Sequence, residues 1–460
     1  MVKGNIVVDF IVSKRGSSGK TLVSMVKTDV ALAYGYRVWG IDMNDMNPDY
    51  STVYRYLFGT LDKLYGRDED FRKFFWIKRL DIVDSEWPFS KEEFWNIECS
   101  GYTYSYLDRD LSSTLEREFY LFNSQRYLRR GTTYTVKQSL VDLAQYLRII
   151  LNTISTMGDG SKDTYIVIDT NIPYTSLIVY SARRIKSVAE GFPLTIYIPG
   201  AKDTFSDILT SLCESIVGLG KYMKLVITYI LPLEVFLKEE AIETEFDALR
   251  CISGDLKSTL GKAALEFHLI ANMYVPLRYD IIDRMMRLST DIIEKAEKLS
   301  GKIAPNKEFL SIDEMNKILR GLTEIDVEGI VAKVKAQKSE FVENRIKIFA
   351  RILILYYALL NSRVKNLSVM PIYDADISYL VELLRTPGLA EMIANNTVFI
   401  GDYNRFLRNL WDFGPLIALL TLLGLRVMDA IDIRNMQSPE MMFTKFIFNI
   451  ADFVRAMAKR

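Results

Sequence analysis

The chain of 460 residues carries 58 Lys+Arg against 58 Asp+Glu, with 49% hydrophobic and 12% aromatic residues. That balance excludes a disordered chain, a dedicated nucleic-acid coat and a strongly basic membrane binder, and it leaves ample apolar material for two or three domains. The three cysteines, Cys99, Cys213 and Cys251, are far apart and lack CxxC spacing, which excludes a disulfide framework and a cysteine zinc site and fits a cytoplasmic location. The opening MVKGNIVVDFIVSKRG leads a short apolar stretch into a glycine-containing turn without a small-residue cleavage site, so it reads as a first strand and not as a signal peptide. The runs Ile352 to Leu360 and Leu416 to Leu425 fall short of the ~18 residues that cross a bilayer and read as buried helices.

Asn5 to Val12 is a compact β-branched run that predicts a strand, and the apolar residues of LVSMVKTDVALAYGY recur at helical spacing. Between them runs Ser13-Lys14-Arg15-Gly16-Ser17-Ser18-Gly19-Lys20-Thr21. A loop placed in this way turns successive backbone N–H groups around phosphates and adds the positive end of the helix. It also sets a lysine on the β/γ-phosphates and a hydroxyl on Mg²⁺. Gly16, Ser17, Ser18, Gly19, Lys20, Thr21 and Leu22 are therefore the candidate ATP cradle. A bare GK[ST] arises by chance in roughly a quarter of chains this long, so the weight falls on context. A second strand, Arg37 to Ile41, ends in Asp42, as a βαβ unit requires. A third, Tyr165 to Ile168, ends in Asp169, where a carboxylate can hold Mg²⁺; the alternative is a strand-end residue capping the next turn.

The segment from Lys14 to Thr21, then RVWGIDMN with Asp42, then YIVIDTNIP with Asp169, together resemble the deviant Walker ATPases of the ParA/MinD type. Residues 367–376, LSVMPIYDAD, are similar to the late strand and loop beside the adenine in MinD-like proteins, which implies that role for Pro371, Tyr373 and Asp374. The resemblance implies Mg²⁺ organised by Thr21, Asp42 and Asp169, and a nucleotide-dependent homodimer. The family's additional signature lysine, which reaches across that dimer, falls on Arg15, with Lys14 as the competing residue. Arginine keeps the charge, but its planar head is not an ammonium. The second switch I carboxylate, which orients the attacking water in the family, aligns with Asn44, and the nearest acid is Asp45. Either Asp45 takes that role after a local shift, or hydrolysis is slow or absent.

Leu194 to Ile198 and Lys224 to Ile230 extend the strand set. The expected fold is thus α/β, a mostly parallel doubly wound P-loop sheet with helices on both faces and a ligand at the strand carboxyl ends. Two insertions are expected in it. The first, 59–134, contains FRKFFWIKRL and RYLRRG and reads as an amphipathic surface helix with solvated charges, the alternative being contact with nucleic acid or anionic lipid. The second, 237–361, reads as helical almost throughout, with His268 a structural residue in a helix and Met273, Met285 and Met286 filling a core. The remaining core is discontinuous: 1–58, 135–236 and 362–460. After Pro387 come a short strand candidate, Thr397 to Ile400, the helix around Leu416 to Leu425, and an amphipathic segment, Pro439 to Arg460. MinD relatives dock such a C-terminal helix on membranes, but few basic residues flank this one, so packing against the domain is the expected role.

The function expected from the resemblance is an ATP-binding and ATP-hydrolysing dimerisation switch in DNA segregation or cargo positioning, with DNA or a DNA-bound adaptor protein as partner. One alternative is a targeting chaperone resembling the tail-anchored-protein ATPases, whose zinc-binding CxxC is missing here. Another is a nucleotide-dependent scaffold with little hydrolysis, which Asn44 would explain.

Overall fold

The computed structural model describes residues 6–11, 20–44, 48–80, 98–107, 113–123, 162–170, 194–198, 225–260, 265–272, 275, 277, 281, 284–285, 287–303, 305–334, 339–360, 362–370, 377–395, 400–420 and 422. They fall into two compact units, the first built from the described residues up to 170 together with those from 377 onward, the second from those between 195 and 370.

The first unit is organised by six strands, β1 (Ile6–Ile11), β2 (Arg37–Met43), β3 (Phe75–Leu80), β4 (Glu98–Leu107), β5 (Thr114–Asn123) and β6 (Thr164–Thr170). They lie in the order β1-β6-β2-β5-β4-β3. The pairs from β1 to β5 are parallel, and β4 and β3 continue the sheet antiparallel. In β2 every residue from Val38 to Met43 is buried, as a parallel strand covered on both faces requires. Helix α1 (Lys20–Ala33) follows β1, and α2 (Asp49–Arg67) follows β2. Tyr54 and Phe58 of α2 pack on Phe119, and Phe58 packs also on Tyr102 and Tyr104. Gly40 makes room for this helix, because a Cβ there would lie 2.4 Å from the Tyr50 hydroxyl oxygen.

Residues 75–123, expected within a surface insertion, therefore supply three strands of the main sheet. FRKFFWIKRL is not one amphipathic helix: it ends the short helix α3 (Glu69–Arg72) and continues as β3, where Phe75 and Ile77 are buried and Trp76, Lys78 and Arg79 exposed. The boundary expected at residue 58 falls inside α2. RYLRRG lies outside the described residues. Further along, Ile377–Arg385 and Leu389–Asn395 pack on α2, and Ile400–Phe413 packs on α1. Ile400 opens that last helix where the end of a strand was expected; 397–399 lie outside the described residues. Residues 415–420 are helical, as expected, and the segment 439–460 lies outside the described residues. No helix among the described residues is long and apolar enough to cross a membrane.

The second unit contains β7 (Leu194–Ile198), which begins at the unit boundary, β8 (Leu225–Leu231), β9 (Leu265–Asn272) and β10 (Leu367–Met370), with β8, β9 and β10 parallel. The helices Glu239–Leu260, Ser289–Ser300, Ile312–Thr323, Glu328–Val334 and Glu340–Leu360 complete it. The strand β9 corrects the expectation of a helical stretch through this region, and His268 lies on it, beside Thr228 in the register. LEFHLIAN is too short for its apolar pattern to separate a buried parallel strand from a helix. Met285 is buried in the core, as expected; Met273 and Met286 lie outside the described residues.

Candidate nucleotide and cation site

The parallel register between β2 and β6 sets Asp42 opposite Asp169, and that between β1 and β6 sets Ile11 opposite Asp169. Partners in register project to the same side of a sheet, so two carboxylates stand side by side at the carboxyl ends of adjacent strands. Both are buried, at 0% and 1% exposure. Helix α1 begins at Lys20 and delivers three side chains to the pair. The Thr21 hydroxyl donates to Asp169 Oδ2 at 2.9 Å, and the Ser24 hydroxyl lies 3.0 Å from Asp169 Oδ1 and 3.1 Å from the Lys20 carbonyl oxygen. Lys20 is buried, and its charge acts on Asp169. Asp42 accepts the backbone N–H of Asn44 on Oδ1 at 3.0 Å and that of Ser51 on Oδ2 at 2.8 Å. Since Pro48 offers α2 no side-chain cap, Asp42 does that work from the neighbouring strand.

Burial raises the Asp42 carboxyl to about 8, with the nearby charge of Asp169 as the second cause, against the pull of the Ser51 and Asn44 amides. Burial likewise raises Asp169 to about 6, while the Thr21 and Ser24 hydroxyls and the Lys20 ammonium hold it down. Burial lowers Lys20, and Asp169 partly restores it. Two enclosed carboxylates of this kind favour added positive charge. The donors are all hard oxygens, the set that suits Mg²⁺. Among the described residues no cluster of three or more His, Cys, Asp or Glu converges. A cation here would meet this pair and a hydroxyl, with waters and ligand oxygens completing its shell, as Mg²⁺ commonly does.

The structure thus brings together Lys20, Thr21, Asp42 and Asp169 of the expected site, and Leu22 shares their helical turn. Asn44 is adjacent, contributing its backbone N–H to Asp42. Lys14, Arg15, Gly16, Ser17, Ser18, Gly19, Asp45, Pro371, Tyr373 and Asp374 lie outside the described residues. Two contributors were missed in the sequence. Ser24 carried a signal, a hydroxyl on the buried helix face three residues after Thr21. Ser51 acts through its amide, which any residue type supplies, so nothing in the sequence marked it.

No family model matches the chain, and no curated protein matches it. Among solved structures, the chain is similar to pnob8 ParA, at a TM-score of 0.33 and 13% identity, over 78% of this chain and 100% of that one. It is also similar to a plasmid partition protein from Borrelia burgdorferi, at a TM-score of 0.23 and 14% identity, over 60% of this chain and 81% of the other. Likeness at this level decides nothing about chemistry, so the functional reading rests on the site residues themselves.

Proposed function

We propose that the chain is an ATP-binding, ATP-hydrolysing switch of the ParA/MinD type, two copies of which close on each other with bound Mg·ATP and reopen after hydrolysis, in the service of DNA segregation or cargo positioning. The observation that supports this reading is the convergence of Lys20 and Thr21, at the start of α1, on the register-paired Asp42 and Asp169. On this reading the Gly16 to Leu22 segment cradles the phosphates and Lys20 binds their outer oxygens. Thr21, Asp42 and Asp169 hold Mg²⁺, whose contribution when bound is to neutralise charge on the phosphate oxygens. The Thr21 hydroxyl directs its proton to Asp169 Oδ2 and has a lone pair for the cation. Arg15 or Lys14 reaches the partner's nucleotide, Asn44 or Asp45 orients the water, and Pro371, Tyr373 and Asp374 flank the adenine. The closed dimer is favoured by contacts that need the γ-phosphate, and their loss reopens it.

Sedimentation of the wild type and of Lys20→Ala, each with no nucleotide, with Mg·ADP and with a non-hydrolysable ATP analogue, tests the reading. The wild type is expected to dimerise with the ATP analogue alone and then to shift with added duplex DNA, whereas Lys20→Ala stays unchanged throughout. An oligomeric state that ignores nucleotide in the wild type overturns the switch.

A further inference from the structure

Asp169 is enclosed, and both of its oxygens are engaged by hydroxyls of one helix: Oδ2 by Thr21 at 2.9 Å and Oδ1 by Ser24 at 3.0 Å. Thr21 and Ser24 are three residues apart and so lie on the same face of α1. We propose that Ser24 is a positioning residue for the site: by holding Asp169 Oδ1 it stops the carboxylate from swivelling and keeps Oδ2 on Thr21, where the cation is organised. The inference rests on the nucleotide and Mg²⁺ reading above.

A serine inside a helix ordinarily returns its proton to the carbonyl four residues back, and the Lys20 carbonyl oxygen is within reach at 3.1 Å. One hydroxyl has one proton, and a charge-assisted bond to a carboxylate is the stronger of the two. Ser24 therefore turns its proton to Asp169 whenever that group is ionised. A carboxylate tied at one oxygen rotates about its Cβ–Cγ bond; tied at both it keeps one plane, which is the precision a cation site demands of its supporting groups. Ser24 is fully buried, so no water takes over its bond without entering the core.

The test is binding of a fluorescent, non-hydrolysable ATP analogue, titrated with MgCl₂ and also measured without it, for the wild type, Ser24→Ala and Ser24→Cys. Cysteine fills the serine's space but donates weakly, so it carries the test where alanine weakens the fold. Both variants are expected to keep the Mg-free affinity and to need about 10- to 100-fold more Mg²⁺ for the metal-dependent tightening, the loss usual when a supporting partner of a metal ligand is removed. An unchanged Mg²⁺ midpoint in Ser24→Cys overturns the positioning role and leaves the nucleotide site standing. A wild type that binds no nucleotide overturns both.

Discussion

Asp29 is the most instructive single side chain away from the site. It is wholly enclosed on α1, and its partners are donors: Oδ2 accepts the backbone N–H groups of Leu416 at 2.9 Å and Ile417 at 3.0 Å, while Oδ1 meets the Tyr54 hydroxyl at 2.7 Å. That hydroxyl also lies 2.8 Å from the Met25 carbonyl oxygen and has one proton to give. Protonation of Asp29 would remove that competition, because the neutral carboxyl could donate to Tyr54 and leave the tyrosine proton to Met25. Burial pushes the carboxyl in the same direction, up to about 7, although the two amides and the hydroxyl hold it back. Its folded value thus exceeds the unfolded 3.8, so its contribution to stability is fully present below pH 4 and is lost as pH rises through 7, a span of about 4 kcal/mol. An asparagine side chain in its place would donate to Tyr54 and accept the amides without a charge. Urea unfolding at a series of pH values is therefore expected to show that Asp29→Asn removes this slope and raises stability above pH 7, by up to about 4 kcal/mol. Equal slopes in the two proteins would rule out the protonated arrangement.

At the scale of elements, the second unit joins helix ends through one cation. Arg351, on Glu340–Leu360, is buried and donates Nη1 to the carbonyl oxygens of Phe236 at 2.6 Å and Leu237 at 3.1 Å, and Nη2 to that of Thr323 at 2.8 Å. These carbonyls close the short 3-10 helix Leu233–Phe236 and the helix Ile312–Thr323, where positive charge is favoured. A lysine cannot reproduce the planar fork, so Arg351→Lys is expected to lose about 2–3 kcal/mol in denaturant unfolding. A variant with wild-type stability would show that the fork is dispensable. The elements also show what the sequence made legible. The strands that carry Asp42 and Asp169 were plain in RVWGI and YIVI because a parallel strand buried on both faces is an unbroken apolar run. The strands β3, β4 and β5 were hidden by charge and hydroxyls, yet β4 reads Tyr102-Thr103-Tyr104-Ser105-Tyr106, with its tyrosines at a period of two and all three buried. In the site, residue identity revealed Lys20, Thr21, Asp42 and Asp169. The amides of Ser51 and Asn44 belong to the backbone and left no trace.

Over the whole molecule, the described residues of the first unit come from two separate parts of the chain, whereas those of the second lie together between 195 and 370. Gly414 shows how closely the ends of the first unit meet: its φ is +95°, and a Cβ there would lie 2.4 Å from the Asp29 carbonyl oxygen. Gly414→Ala would add backbone strain to a clash with main chain, a loss of about 2–4 kcal/mol confined to that unit. Hydrogen exchange is expected to show faster opening of the α1 amides in this variant, with those of β8 and β9 unchanged. Slowing or no change in α1 would contradict the contact. The same junction sets a timetable for the nascent chain. Asp29 leaves the ribosome 387 residues ahead of its amide partner Leu416, a delay of ~20–80 s at ordinary synthesis rates. The described residues of the second unit, between 195 and 370, emerge within that interval and can fold without waiting. The helix that carries Lys20 and Thr21 completes this contact only after Leu416 has emerged, so the packing behind the candidate site is finished late relative to β1, β2 and β6.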